Sequence, residues 1–390
     1  MHEDEQTRLL RELISINSAN PPGNEERIAG YVADYLANQG IDSRLVPLEP
    51  GRASLYAELP GELPEVIGLS GHLDTVPASD EWTLPPTTPV LRNGRLYGLG
   101  ATDMKGGVAM LLAAFCRVAR AVESGCRLQR GLALLLSAAE ETRLRGAQTL
   151  REAGLVDNVT FLIIGEPTNA ELGIGSMGGV LTRVTFEGQE AHAATPAEGI
   201  NAILACARFL LAMEQQVETL PVYKHSDDLT LRATLNVGTI AGGRATNIVA
   251  GQCHADLDMR CASQVQEDSY LGALAELAEK AAAPGTYQSE VLYQAKPLLT
   301  PETDPWIARF ARAYESVVGH HPTLGVGLGG SDILELAPEG DLPFVIFGPG
   351  QPAQAHRPDE YIELGLFKRS RVILDRFLEM ELLNGACLHD

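Results

Sequence analysis

Histidine and carboxylate side chains follow several short apolar runs in this sequence, a pattern that favours metal chemistry. The runs span residues 66–69, 132–136, 161–164 and 344–347, and the side chains that follow them are His72, Asp74, Glu140, Glu141, Glu166 and His356. A further acid, Asp103, ends the Gly-rich segment 98–103 directly before a predicted helix. Imidazole nitrogens and carboxylate oxygens are zinc ligands, and two ions about 3.5–4 Å apart need a carboxylate that bridges them.

These residues supply a complete ligand set for two divalent ions. Asp103 is the candidate for the bridging carboxylate. We expect His72 and Glu166 to complete the site of one ion, and Glu141 and His356 to complete the other. Zinc is the expected metal, and cobalt and manganese fit the same ligands.

Asp74 and Glu140 stand beside this ligand set. Asp74 follows His72 by two residues, so it is a candidate to hold the imidazole through a hydrogen bond. Glu140 directly precedes the candidate ligand Glu141 and is not assigned as a ligand of either ion. A carboxylate in that position is the candidate general base for activating a water molecule.

Each of these residues also has a simpler explanation when it is considered alone. The pair Glu140 and Glu141 could stabilise the start of a helix through its dipole. Asp103 could cap the helix that follows it, and a histidine after a strand is more often a hydrogen-bonded loop residue. The joint occurrence of all these residues at predicted strand ends favours the metal interpretation.

The apolar runs indicate the elements that position the ligands. Short continuous runs are typical of strands buried on both faces, as in a parallel sheet covered by helices. Helices are predicted between them at 108–122, 146–153 and 306–318. The alternation predicts an α/β fold with a mixed, largely parallel sheet flanked by helices, whose strand ends form the site at one edge.

The middle of the chain has a different pattern. Residues 180–186, 231–240 and 254–259 alternate apolar and polar side chains, and residues 200–213 and 270–283 form amphipathic helical patterns. With a strand predicted at 289–293, the order β-α-β-β-α-β predicts an inserted α+β, ferredoxin-like domain. We therefore expect the catalytic domain to comprise residues 1–178 and 296–390, and the insert to comprise 179–295.

Composition limits the function classes. The net charge of −21 disfavours nucleic acid and anionic membranes as partners. The longest apolar run, 202–213, is shorter than the roughly 18 residues of a membrane span, and the acidic start of the chain does not resemble a signal peptide. The six cysteines have no CxxC spacing. These features predict a cytoplasmic protein without a disulfide framework.

The motifs around the candidate ligands resemble a known family. The segments are Ser70-Gly71-His72-Leu73-Asp74-Thr75-Val76-Pro77, Tyr97 to Gly107, Glu140-Glu141, Gly165-Glu166-Pro167-Thr168, and Gly348-Pro349-Gly350 with Ala355 to Glu360. In this order they resemble the metallopeptidase family of acetylornithine deacetylase, succinyl-diaminopimelate desuccinylase, aminoacylase and glutamate carboxypeptidase. The resemblance covers nearly the whole chain.

The resemblance implies a di-zinc exopeptidase-like fold, the same ligand roles and a cis peptide bond after Asp103. It implies that the insert is a lid and dimerisation domain of a homodimer. His192 would enter the active site of the partner subunit and stabilise the oxyanion. The residues implied to hold the substrate carboxylate are Asn247, Arg260, Gly330 and Ser331.

One residue departs from the family pattern. Relatives specific for succinyl-diaminopimelate carry an arginine near the start of the lid, and many acetylornithine deacetylases carry a lysine. The corresponding residue here is Met177. The substitution removes one cation from the expected pocket, and the alternative is that Met177 only packs at the hinge.

The sequence therefore predicts a two-metal amidohydrolase that removes an acyl group from a small, carboxylate-bearing N-acyl amino acid. A dipeptidase or carboxypeptidase on the same scaffold is the first alternative, and a catalytically silent binding protein is the second. Six histidines have no partner segment and are expected to be structural or on the surface: His2, His225, His254, His320, His321 and His389.

Overall fold

The computed structural model describes residues 4–225, 230–327 and 329–383. Cys387, His2 and His389 lie outside the described residues. The α-helices are α1 (Glu5–Ser15), α2 (Glu26–Ala37), α3 (Lys105–Glu123), α4 (Arg145–Glu152), α5 (Ala202–Val217), α6 (Gln264–Ala282), α7 (Pro305–Val318), α8 (Ile333–Leu336) and α9 (Leu364–Leu382). Short 3-10 helices lie at Pro196–Glu198 and Pro352–Gln354.

The strands of the first part of the chain are β1 (Ser43–Glu49), β2 (Arg52–Leu59), β3 (Val66–His72), β4 (Val90–Arg92), β5 (Arg95–Tyr97), β6 (Gly131–Ser137), β7 (Val159–Ile164) and β8 (Leu172–Ser176). The remaining strands are β9 (Gly178–Glu187), β10 (Tyr223–Lys224), β11 (Thr230–Leu231), β12 (Thr234–Gly242), β13 (Gln252–Cys261), β14 (Thr286–Ala295), β15 (Leu298–Leu299), β16 (Leu324–Gly327), β17 (Phe344–Ile346) and β18 (Tyr361–Glu363).

The chain forms two compact units. The first comprises Met1–Gly175, Leu299–Gly327 and Ser331–Asp390, and the second comprises Ser176–Leu298 and Leu328–Gly330. The lid and dimerisation role that the resemblance implies for the second unit stays a prediction.

The first unit contains a nine-stranded sheet with the order β1-β2-β6-β3-β7-β17-β8-β15, and β16 pairs with β8. Strands β6, β3, β7 and β17 are neighbours and run parallel. They are the four strands that the apolar runs predicted, and every residue of β3 and β6 is buried. The flanking pairs β1–β2, β2–β6 and β17–β8 are antiparallel. The predicted mixed, largely parallel sheet is therefore confirmed.

Helices cover this sheet with apolar faces. Helix α3 packs on β3 and β6 and contacts α1 and α9, while α2 and α4 pack on β1 and β2. Leucines fill the shared core, and burial of each stabilises the fold by about 1.5–3 kcal/mol. The first turn of α3 comes very close to the end of β7, because a Cβ atom on Gly107 would lie 1.9 Å from the carbonyl oxygen of Gly165. Only glycine permits this approach.

The second unit has the element order β9-α5-β12-β13-α6-β14, which is the predicted ferredoxin-like order. Its four-stranded antiparallel sheet has the order β12-β13-β9-β14. Helices α5 and α6 pack together and on the sheet around a core that contains Phe186, Phe209 and Tyr270. Strand β12 forms an edge of the sheet.

Across the three described ranges, none of the helices combines the length and apolar content that crossing a bilayer requires.

Candidate metal centre

The predicted ligands lie at one edge of the sheet of the first unit. His72 is the last residue of β3, Glu140 and Glu141 follow the end of β6 at Ser137, and Glu166 follows β7 by two residues. These three strands are adjacent and parallel, so their carboxyl ends meet at the same edge.

The side chains form two groups that share Asp103. In the first group, His72 Nε2 lies 3.1 Å from Asp103 Oδ1 and 3.6 Å from Glu166 Oε1. In the second, His356 Nε2 lies 3.4 Å from Asp103 Oδ2 and 3.2 Å from Glu141 Oε2. Within each group the potential ligand atoms lie within 4.8 Å of one another. The shared position of Asp103 is the geometry that a bridging carboxylate requires.

The hydrogen bond of the His72 ring leaves its Nε2 atom directed at the other candidate ligands. Its Nδ1 lies 2.9 Å from the backbone oxygen of Asp74, and a carbonyl can only accept, so Nδ1 carries a proton. In the neutral imidazole, Nε2 then presents a lone pair towards the carboxylates of Asp103 and Glu166. The Nε2 lone pair and the carboxylate oxygens repel each other unless a cation or a proton lies between them. These atoms therefore fit the coordination of a metal ion.

The charges and the burial of the site shift the pKa values of its titratable groups. Burial lowers the pKa of His72, but Glu166, Asp103 and Glu140 outweigh burial and raise the pKa well above 6.5. The carboxylates of Asp103 and Glu141 raise the pKa of His356 to about 10. Burial, together with the neighbouring acids, raises the pKa values of Glu140 and Glu166 well above 4.5. The site therefore concentrates more negative charge than its imidazoles balance.

Asp74 contacts both the imidazole and the base segment. Its backbone oxygen holds His72, whereas its carboxylate Oδ1 is 3.6 Å from His72 Nδ1. The carboxylate instead accepts the backbone N–H groups of Glu140 and Glu141, each at 3.1 Å. Asp74 thus contacts the ring through its main chain, and its carboxylate anchors the segment that carries Glu140.

The loop that presents Asp103 is held by a residue to which sequence reasoning gave no role. Glu360 is buried, and its carboxylate accepts the backbone N–H groups of Gly100, Thr102 and Asp103 at 2.9, 2.7 and 2.8 Å. The peptide bond between Asp103 and Met104 is cis, as the resemblance implied. Glu360 lies inside the quoted motif 355–360, which was the available signal.

We expect Glu360→Ala to weaken metal binding by about 10–100-fold. The loop that carries Asp103 would lose the carboxylate that accepts three of its backbone N–H groups. Glu360→Gln should have a smaller effect, since one amide oxygen can still accept from Thr102 and Asp103. Calorimetric titration with zinc measures both affinities. Glu363→Ala, which removes a half-buried carboxylate of β18 that pairs with Arg95, is the control, and an equal loss of affinity in that variant would refute the assignment.

Asp332 is a second buried acid near the site that sequence reasoning did not assign. One of its oxygens accepts from the hydroxyls of Ser137 at 2.7 Å and Ser70 at 3.2 Å. Burial raises its pKa to about 6. These hydroxyls belong to β6 and β3, so Asp332 joins the two strand ends that precede Glu140 and His72.

The remaining predicted site residues are divided between the two units. Ser331 belongs to the first unit, and His192, Asn247, Arg260 and Gly330 belong to the second. His192 and Ile248 form a β-bridge, and the backbone oxygen of Asn247 accepts from Ala193 at 3.1 Å. The structure therefore places His192 and Asn247 on paired segments, and both side chains are exposed.

Arg260 has a partner within its own strand. Its Nε and Nη2 atoms each donate to a different oxygen of Asp258 at 2.8 Å. Met177 is 1% exposed, as expected of a packing residue.

Histidine and carboxylate side chains in two groups that share one acid, close to the strand ends of an α/β sheet, form a donor set that could hold two metal ions, as in metal-dependent hydrolases. A family model described as peptidase family M20/M25/M40 matches residues 68–380, and the chain belongs to this family. One solved structure of this family, from Bacillus subtilis, is described as that of a dinuclear metal-binding peptidase. The chain is accordingly a metal-dependent hydrolase that acts on linear amide bonds.

Two curated relatives match along most of their length. A probable succinyl-diaminopimelate desuccinylase of Staphylococcus epidermidis is 28% identical over 397 residues, covering 94% of this chain and 95% of the relative. An acetylornithine deacetylase of Proteus mirabilis is 29% identical over 375 residues, covering 94% and 92%. The crystal structure of a tripeptidase from Staphylococcus aureus shares the fold, with a TM-score of 0.81, 21% identity and coverage of 98% and 99%.

Proposed function

We propose that this chain removes an acyl group from a small N-acyl amino acid by hydrolysis at a two-metal site. The observation that carries the proposal is the pair of ligand groups sharing Asp103, with Glu140 next to them but outside both. The names of the two curated relatives support an acyl-amino-acid substrate over a longer peptide.

The residues divide the chemistry between them. Two divalent ions, which we expect to be zinc, would lower the pKa of a water molecule and polarise the scissile carbonyl. His72, Asp103, Glu141, Glu166 and His356 would hold these ions. Glu140 would accept the proton of the attacking water and return it to the leaving amine. Asp74 would keep His72 and the Glu140 backbone in place.

His192 is suited to donate a hydrogen bond to the oxyanion. Its Nδ1 accepts the backbone N–H of Ala194 at 3.0 Å, so the neutral ring carries its proton on Nε2. The Nε2–H group is then a donor on an exposed side chain. A donor of this kind stabilises the negative charge that develops on the carbonyl oxygen.

We further propose that Asn247, Arg260, Gly330 and Ser331 hold the substrate carboxylate. A fixed carboxylate places the reacting carbonyl and thereby lowers the entropic cost of the reaction. The pairing of Arg260 with Asp258 orients one edge of the guanidinium group. Met177 supplies no charge, so substrate recognition in this chain would depend on fewer cations than in relatives with arginine or lysine there.

A hydrolysis screen tests the proposed function. The zinc-loaded and cobalt-loaded enzymes are assayed with N-acetyl amino acids, N-succinyl amino acids and dipeptides. We expect kcat/KM for at least one N-acyl amino acid to exceed every dipeptide value. Higher values for dipeptides would establish the peptidase alternative instead. A metal-loaded chain that hydrolyses none of them would favour the binding-protein alternative.

The second unit has features that support a homodimer. Its edge strand β12 is exposed along most of its length and carries Val237 and Ile240. Helix α5 exposes Leu204 and Leu211, which are 55% and 62% accessible. Open strand edges and exposed apolar side chains favour association with another chain. We propose that a second copy of this chain covers them and that His192 acts in the partner's site.

Subunit exchange between two inactive variants tests this role of His192. Loss of one oxyanion donor costs about 10²–10³ in turnover, so His192→Ala should be nearly inactive, and so should Glu140→Ala. In a mixed dimer, one site lacks both residues and the other has both. Random exchange yields about half mixed dimers, so activity should recover to roughly a quarter of wild type if the sites act independently.

The result depends on confirmed exchange. Subunits with different tags allow mixed dimers to be isolated and counted. If His192 acts within its own chain, every site in the mixture lacks one residue. Mixed dimers without recovered activity would therefore rule out the role in the partner's site.

A further inference from the structure

The segment that carries Glu140 is held by three consecutive backbone hydrogen bonds. The N–H of Ala139 donates to Glu25 Oε1 at 3.1 Å. The N–H groups of Glu140 and Glu141 donate to Asp74 Oδ1 and Oδ2, also at 3.1 Å. Two buried carboxylates thus accept all the amide protons of residues 139–141.

The backbone conformation explains why this segment needs support. Ala139 has φ +58°, in the left-handed region. This region is unfavourable for a residue with a Cβ atom, so it persists only where surrounding contacts maintain it. The amide contacts of residues 139–141 provide such support at the position directly before Glu140.

The two carboxylates are themselves held by residues near the N-terminus. Asn20 Nδ2 donates to Asp74 Oδ2 at 2.9 Å and to Thr142 Oγ1 at 2.8 Å. Arg52 Nε donates to Glu25 Oε2 at 2.8 Å. Glu25 and Asp74 are fully buried and Asn20 is 3% exposed. Buried charges are costly unless they are paired and hydrogen-bonded, so these contacts keep both carboxylates in place.

Asn20 is also fixed through its main chain. Its N–H donates to the backbone oxygen of Thr75 at 2.8 Å, and Ala19 forms a β-bridge with Thr75. The side-chain amide is therefore oriented towards the residue that precedes Thr75, which is Asp74. Residues 19–25 lie outside the part of the chain that the family model matches, 68–380.

We propose that Asn20 and Glu25 are positioning residues for the catalytic base, acting through Asp74 and Ala139 on the backbone of Glu140. This inference rests on the proposed function, because it takes Glu140 as the base. Asn20 orients the Asp74 carboxylate, and Glu25 holds the strained turn before the base. The N-terminal segment thus supports the catalytic base through hydrogen bonds to Asp74 and to the backbone of Ala139.

The first test is kinetic and uses the metal-loaded enzyme at saturating zinc. Asn20→Ala should lower kcat by about 10–100-fold, the usual cost of losing an outer hydrogen-bonding partner, with little change in KM. Glu25→Ala should also lower kcat. Glu25→Gln should recover part of the activity, because its amide oxygen can still accept from Ala139. Metal content is measured for each variant.

The second test is independent of the substrate. Hydrogen–deuterium exchange followed by mass spectrometry reports the protection of the amides of residues 139–141. Asn20→Ala and Glu25→Ala should increase exchange in a peptide containing 138–142 more than in peptides from α9. Gln6→Ala is the matched control, because Gln6 is a buried amide that donates to the Phe367 carbonyl, remote from the base segment.

The outcomes separate this inference from the proposed function. Lower kcat with faster exchange at 138–142, and neither change in Gln6→Ala, supports it. Unchanged exchange at 138–142 overturns it, as does a kcat loss that Gln6→Ala reproduces at equal loss of melting temperature. If the wild type hydrolyses no N-acyl amino acid, the proposed substrate is wrong, and the exchange measurement still decides whether Asn20 and Glu25 hold the segment.

Discussion

Glu140→Gln is expected to bind two metal ions per chain and to lose turnover by about 10²–10⁴-fold or more. The amide keeps the shape of the side chain but cannot accept the proton of the attacking water. Glu140 lies outside both ligand groups, so metal content should not change. Elemental analysis and kcat measured on the same preparation check both parts.

The neighbouring residue supplies the matched comparison. Glu141 belongs to the group with Asp103 and His356, so Glu141→Gln should weaken the binding of one ion and leave the other. Loss of metal in Glu140→Gln with full metal content in Glu141→Gln would show that the two roles are reversed.

Asp103→Ala is expected to weaken the binding of both ions and to abolish activity. Its two oxygens face different imidazoles, at 3.1 Å from His72 and 3.4 Å from His356. Glu166→Ala, by contrast, should affect only the ion of the first group. Calorimetric titration of the wild type, Asp103→Ala and Glu166→Ala with zinc distinguishes these outcomes. Retention of one tightly bound ion in Asp103→Ala would contradict its shared position.

The strands that carry the candidate ligands could be predicted because parallel strands buried on both faces leave a strong signal. The runs at 66–69, 132–136 and 161–164 are continuous and apolar, and the structure places them side by side in β3, β6 and β7. Since the strands are parallel, the residues after each run must meet at one edge. The pattern therefore predicted the proximity of His72, Glu141 and Glu166.

Element boundaries were less predictable where apolar periodicity begins late. Helix α6 was predicted from Tyr270, but it begins at Gln264. Its first turn is mostly polar, and the side chain of Ser263 caps it by accepting from the backbone of Gln266. A capping serine, rather than the apolar face, was the signal for this helix start.

Contacts between distant parts of the chain could not be predicted from spacing. Asn20 and Asp74 are 54 residues apart, and Glu25 and Ala139 are 114 apart. Spacing also could not predict that the carbonyl of Asp74 contacts His72 while its carboxylate accepts from Glu140 and Glu141. A two-residue spacing from His72 does not specify whether the carboxylate or the carbonyl reaches the ring, because the backbone turn decides it.

The dependence of activity on metal equivalents tests the central claim most directly. The chain is first freed of metal with a chelator and then titrated with zinc while the hydrolysis of its best N-acyl amino acid is followed. We predict no activity in the metal-free chain and a maximum at two bound ions per chain. Full activity after metal has been reduced far below one ion per chain would contradict a two-metal hydrolase at His72, Asp103, Glu141, Glu166 and His356.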